Sequence, residues 1–117
     1  MAVHVTGVAI VGEYAVGVSL IGEIAVIRLK PRPQLEAVLQ LHDQVLTTPA
    51  VVEGRKAVMV SGLSGRTYYI HLPTHQVQEL YRTPQPILHT PLVVENHVLL
   101  APTSTHLHRI PLPPISG

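Results

Sequence analysis

Eight of the 117 residues are histidine, and they are the first candidates for chemistry. His106 and His108 in "HLHR" stand two apart, so on a strand their side chains share one face. His71 and His75 flank the short stretch "HLPTH". A zinc site needs three or four ligands converging at about 2.0–2.3 Å, and the chain has no Cys to complete a set. His106, His108 and His71 are therefore the candidate metal ligands. The competing reading is that they are polar residues on strand faces. A two-fold oligomer would favour the metal reading, because two His-x-His pairs would then meet.

Other chemistry finds less support. "SGLSGR" (Ser61–Arg66) has the residue types of a nucleophile elbow, but the elbow requires Gly-x-Ser-x-Gly between a strand and a helix. Here the spacing differs, and both flanks read as strands, so a hairpin turn is expected. "GVSLIGE" lacks the spacing and the Lys of a phosphate loop. Carboxylates are single and dispersed. Glu53 and Glu95 stand at corresponding positions beside turns, where solvation explains them. No catalytic residue and no cofactor is expected.

The elements that must position these residues follow from composition. Apolar residues make up 46% of the chain without a single Phe or Trp, and only four Tyr are present. Such a core is assembled from many Val, Ile and Leu contacts, which favours strands. Net charge is +1. The densest basic stretch, Arg28, Lys30 and Arg32 in "IRLKPRP", reads as a solvated loop, since duplex binding takes a broader basic face. No nucleic-acid partner is expected. Glu13 and Glu23 interrupt the apolar N-terminal runs well short of the roughly 20 residues that span a bilayer. The first residues also lack the basic start and cleavage site of a signal peptide. A soluble protein is expected, and the absence of Cys leaves the compartment open.

The chain repeats itself. "VLTTPAVVEG" (Val45–Gly54) returns as "ILHTPLVVEN" (Ile87–Asn96), 42 positions on, and a fainter copy, "VHVTGVAIVG" (Val3–Gly12), precedes both. Gly12, Gly54 and Asn96 coincide, and these residue types accept positive φ, so a tight turn is expected at each. After the turn, each copy carries a second apolar run, a small-residue turn and a third run ending Ile-x-Leu: Ile27/Leu29, Ile70/Leu72 and Ile110/Leu112. A fourth segment follows in two copies, "QLEAVLQL" (Gln34–Leu41) and "QVQELYR" (Gln76–Arg82), while "PPISG" stands in its place in the third.

Strands are expected near 5–11, 14–19, 23–29 and 35–41, then 46–53, 56–61, 66–72 and 76–82, then 88–94, 98–101 and 106–111. The segment "QLEAVLQLH" is ambiguous, because Leu35, Val38 and Leu39 also fit a helical period. The repeat decides for a strand. Thr48-Pro49 and Thr90-Pro91 open their units, where Pro suits the first residue of a strand. The units fall at about 3–43, 44–85 and 86–117.

Repeats of about 40 residues with four strands each belong to β-propeller blades. These units resemble the PQQ-type propeller repeats of quinoproteins and outer-membrane assembly lipoproteins. The matching residues are Thr48-Pro49-Ala50-Val51-Val52-Glu53-Gly54, Ala57–Ser61 and Gly65-Arg66-Thr67-Tyr68-Tyr69-Ile70. The third unit repeats the opening as Thr90-Pro91-Leu92-Val93-Val94-Glu95-Asn96. The resemblance implies an all-β chain of four-stranded antiparallel blades, eleven strands or about 2.75 blades. It implies a docking platform in place of a quinone enzyme, because the Trp-docking element is missing. Thr74 stands in that element, His75 replaces its Gly, and the chain has no Trp.

Propellers close with about 4–8 blades, so three leave apolar blade faces uncovered. Two copies forming a six-bladed ring, a piece of a longer chain, or a compact non-ring stack would each cover them. In a two-copy ring the partner's Met1–Val5 would supply the missing outer strand. Three functions follow: a non-catalytic interaction or scaffolding module, which is preferred; a ligand- or metal-binding propeller, or a metal-assisted enzyme, using the strand histidines; or a structural self-assembling repeat. The expected partner is another protein or a second copy, with a dimer favoured if the 117 residues are the full chain, and neither nucleic acid nor membrane.

Overall fold

The computed structural model describes residues 5–45, 47–52, 54–84, 90–94, 97–100 and 108–113. Within them the chain forms eleven strands in three antiparallel sheets. Unit one comprises β1 (Val5–Val11), β2 (Tyr14–Ser19), β3 (Glu23–Arg28) and β4 (Gln34–Gln40). Unit two comprises β5 (Ala50–Val52), β6 (Ala57–Ser61), β7 (Arg66–His71) and β8 (Gln76–Arg82). Unit three comprises β9 (Leu92–Val94), β10 (His97–Leu100) and β11 (His108–Pro111). In each sheet the strands lie side by side in chain order. The first strands approach one another, β1 to β5 and β5 to β9, as blades do around a propeller axis.

The expected strands are present, with shorter first strands in units two and three. β5 starts at Ala50 and β9 at Leu92, each directly after a Pro. Pro has no N–H to give to a ladder, so pairing begins one residue later. β4 is a strand, and its helix-like spacing has a physical cause. Val26 pairs with Ala37 while Ile27 pairs with Leu35, leaving Glu36 as a bulge. The extra residue puts Leu35 and Val38, three apart, on one face of the sheet.

Turn length sets which face is which. Val11 pairs with Tyr14 across the two residues Gly12 and Glu13, whereas Val52 pairs with Ala57 across four. Gly12 and Gly54 both have positive φ, 58° and 80°. The turn's end is marked by equivalent bonds: Leu29 N donates to Glu13 O, and Leu72 N donates to Lys56 O. Structural equivalence therefore matches Val11 with Val52 but Tyr14 with Ala57, one position to either side of the 42-residue alignment. A slip of one residue exchanges the faces of a strand. Val16, which that alignment pairs with Val58, is instead the counterpart of Met59.

Each sheet thus has a forward face, toward the next unit, and a rear face, toward the previous one. Val16, Val18, Ile24 and Val26 on the forward face of unit one share a core with Val58, Val60, Tyr68 and Ile70 on the rear face of unit two. A second core joins Ala50, Val52, Ala57 and Met59 of unit two to Ile110 and Leu112 of unit three. β6 is covered on both sides, and all five of its residues are buried. Among the described residues no helix is long and apolar enough to cross a membrane.

Candidate functional site

Of the three candidate metal ligands, the side chain of His71 alone is described. His71 is half-buried, and its Nδ1 lies 2.8 Å from Thr74 Oγ1 at the β7–β8 turn. His108 begins β11 opposite Leu100, and His106 lies outside the described residues. Among the described residues no three His, Asp or Glu side chains gather to hold a metal ion. Glu53, Glu95, Asn96 and Met1–His4 also lie outside the described residues.

"SGLSGR" forms the β6–β7 hairpin, with Gly65 N donating to Gly62 O at 3.1 Å. Its Ser64 serves a structural clamp that the sequence reading missed. Asp43, in the segment joining units one and two, accepts bonds from Gln44 N at 2.9 Å and Ser64 N at 3.0 Å. It also accepts from Ser64 Oγ, and from Tyr68 Oη at 3.2 Å. Burial, aided by the Asp43 charge, holds the Tyr68 phenol above its ordinary range. Gly62 is required here because a Cβ would overlap the Asp43 carboxylate. A lone carboxylate in a linker carries no sequence signal for this role, since its partners are 21 and 25 residues away.

A second clamp joins the outer edges of units one and two. The bulge residue Glu36 takes Arg28 Nε at 2.7 Å on one oxygen and His75 Nε2 at 3.1 Å on the other. The His75 hydrogen bond, followed by Arg28, holds the Glu36 carboxyl below the usual carboxylate range. Arg28 also donates to Tyr14 Oη at 2.9 Å and lies over its ring. His75 has φ 60°, so the position where the resembled repeats carry Gly does adopt the left-handed backbone here.

The feature these clamps leave exposed is the rear face of unit one. Strand register places Ile10, Ala15, Ile27 and Leu35 in one row and Val8, Gly17, Ala25 and Val38 in the next. All eight are uncharged and nonpolar. Ile10 is 66% exposed, Val8 59%, Leu35 58% and Val38 53%. The corresponding face of unit two places Val58, Val60 and Ile70 at full burial against unit one. The relief also differs. Ala15, Gly17 and Ala25 form a low floor where unit two has Val58, Val60 and Tyr68, and nothing lies within 4 Å of a Cβ built on Gly17. Val8 and Ile10 rise along one side of that floor, Ile27, Leu35 and Val38 along the other.

No known protein-family profile matches the chain, and no curated protein matches it in sequence. Solved structures do match in fold. BamB from Moraxella catarrhalis, a β-propeller, superposes with a TM-score of 0.76 at 10% identity, over 90% of this chain and 31% of its own. The computationally designed Ika4 protein superposes with a TM-score of 0.61 at 12% identity, over 97% of this chain and 94% of its own. At these identities the likeness shows the fold, a β-propeller-like arrangement of blades. The chain spans less than a third of the BamB length.

Proposed function

We propose that the chain is a non-catalytic protein-interaction module, a propeller segment that scaffolds by presenting an open blade face to another protein surface. The observation that carries this reading is the rear face of unit one, eight uncharged residues of which four are more than half exposed. Contiguous exposed apolar surface of this kind marks interaction sites on folded proteins. The same face on unit two is buried by a neighbouring blade, so the surface is of a type that this fold covers with another sheet. Self-association and a place within a longer propeller are both forms of this function, and the fold likeness to BamB supports it as a blade-type surface.

The test is a photo-reactive amino acid at Val38, introduced into the full chain in cells. The expected result is a covalent protein adduct that disappears when Ile10→Arg is added. Absence of any adduct, or adducts indifferent to Ile10→Arg, refutes the reading.

A further inference from the structure

We infer that unit two carries a binding site for a small organic phosphate, built on Arg66 and Arg82 and separate from the apolar face of unit one. The two units close their third and fourth strands with equivalent bonds: Leu41 N donates to Gly22 O, and Thr83 N donates to Gly65 O. The residue pairs beside those bonds therefore correspond. In unit one Glu23 stands opposite Gln40, and in unit two Arg66 stands opposite Arg82. Like charges directly opposite on a sheet repel and lower stability. A pair that works against the fold, where the sister blade has Glu and Gln, is the kind of local conflict that functional sites retain.

Glu79 answers only part of this charge. Its Oε1 lies 3.5 Å from Arg66 Nε and 3.0 Å from Arg82 Nε, and its Oε2 lies 3.3 Å from Arg82 Nη2. Arg66 gives a further bond to the Tyr68 hydroxyl. The two guanidiniums still carry roughly ten N–H donors for the about four lone pairs of one carboxylate, and one positive charge is left over. The other carboxylate nearby, Asp43, already accepts from Gln44 N, Ser64 N, Ser64 Oγ and Tyr68 Oη.

Both arginines line a cavity of about 440 Å³ together with Ser64, Thr83 and Pro84. That size lies at the small end of ligand pockets, and Pro84 gives it an apolar wall. An arginine fork matches oxygens set in pairs. One fork satisfies a carboxylate, whereas a phosphate monoester presents three oxygens to two forks and carries a charge of about −1.5 to −2 at pH 7. The ligand and Glu79 share the same guanidiniums, so Glu79 limits the affinity of the site.

The experiment titrates the full chain with phenyl phosphate, inorganic phosphate and acetate at constant ionic strength, read by the NMR shifts of the Gly65, Arg66 and Arg82 amides. Phenyl phosphate is expected to saturate the site in the millimolar range and to bind about 3- to 10-fold more tightly than inorganic phosphate, which leaves the Pro84 wall uncovered. Arg66→Gln and Arg82→Gln, at side chains 36% and 60% exposed, are each expected to weaken it at least about 10-fold. Glu79→Gln is expected to tighten it about 3- to 10-fold, and Arg55→Gln, outside the cavity, to leave it unchanged. The amide spectrum of each variant reports that the fold is kept. Absence of saturation by phenyl phosphate up to about 50 mM, or equal binding in both arginine variants, overturns the inference. Acetate binding as tightly as phenyl phosphate overturns the choice of phosphate, and inorganic phosphate binding as tightly overturns the organic part of the ligand.

Discussion

Substituting Gly62 tests the linker clamp most directly. Its φ is not in the left-handed region, so Ala is acceptable to the backbone, and the obstacle is the Asp43 carboxylate. A Cβ at residue 62 would sit 2.7 Å from Asp43 Oδ1 and closer still to the rest of the group. The carboxylate must swing away, giving up its bonds to Ser64 N, Ser64 Oγ and Tyr68 Oη. At about 0.5–1 kcal/mol net each, these three sum to about 2 kcal/mol. Asp43→Ala loses the same three bonds and the exposed one from neighbouring Gln44 N, and costs about the same. In the double variant the obstacle is gone, and Ala at 62 adds little or even offsets some loss by restricting the unfolded chain. The singles therefore total about 4 kcal/mol and the double about 2, a coupling of about 2 kcal/mol. Urea unfolding of the four proteins measures it. Additivity within about 0.5 kcal/mol would refute the clamp.

Three further outcomes are expected. The Tyr68 phenol favours its neutral form in the fold, so its contribution is complete below the ordinary tyrosine value of 10.0 and is lost as pH rises through the folded value. Absorbance titration of the wild type minus Tyr68→Phe should place Tyr68 above 10.0, and Asp43→Asn should move it down. Glu36 is the opposite case: its depressed carboxyl stabilises the fold above the ordinary value of 4.5, and that contribution fades as pH falls through the folded value. Denaturation across pH 2–7 should therefore show a steeper acid loss for wild type than for Glu36→Gln. Met59, fully buried between units two and three, should lose about 2–5 kcal/mol on change to Ala; a loss below 1 kcal/mol in urea would show that the second core is not packed as described.

The sequence by itself determined the strands, because alternating β-branched runs between Gly, Pro and Ser turns are a local property. The repeat then grouped them into blades and decided β4 against its helical spacing. His75 was legible as the stand-in for a Gly, and its φ of 60° agrees. What the sequence could not determine was register. The turns after Val11 and Val52 differ by two residues, and that difference decides that Val16 looks forward and Val58 looks back. Only the tertiary structure brings Asp43 to Gly62 and Tyr68, or Glu36 to His75, because these meetings depend on how one blade leans on the next. The uncovered face was illegible for the same reason. Val8, Ile10, Leu35 and Val38 are as apolar as the core, and only packing decides which apolar side is buried and which is left exposed.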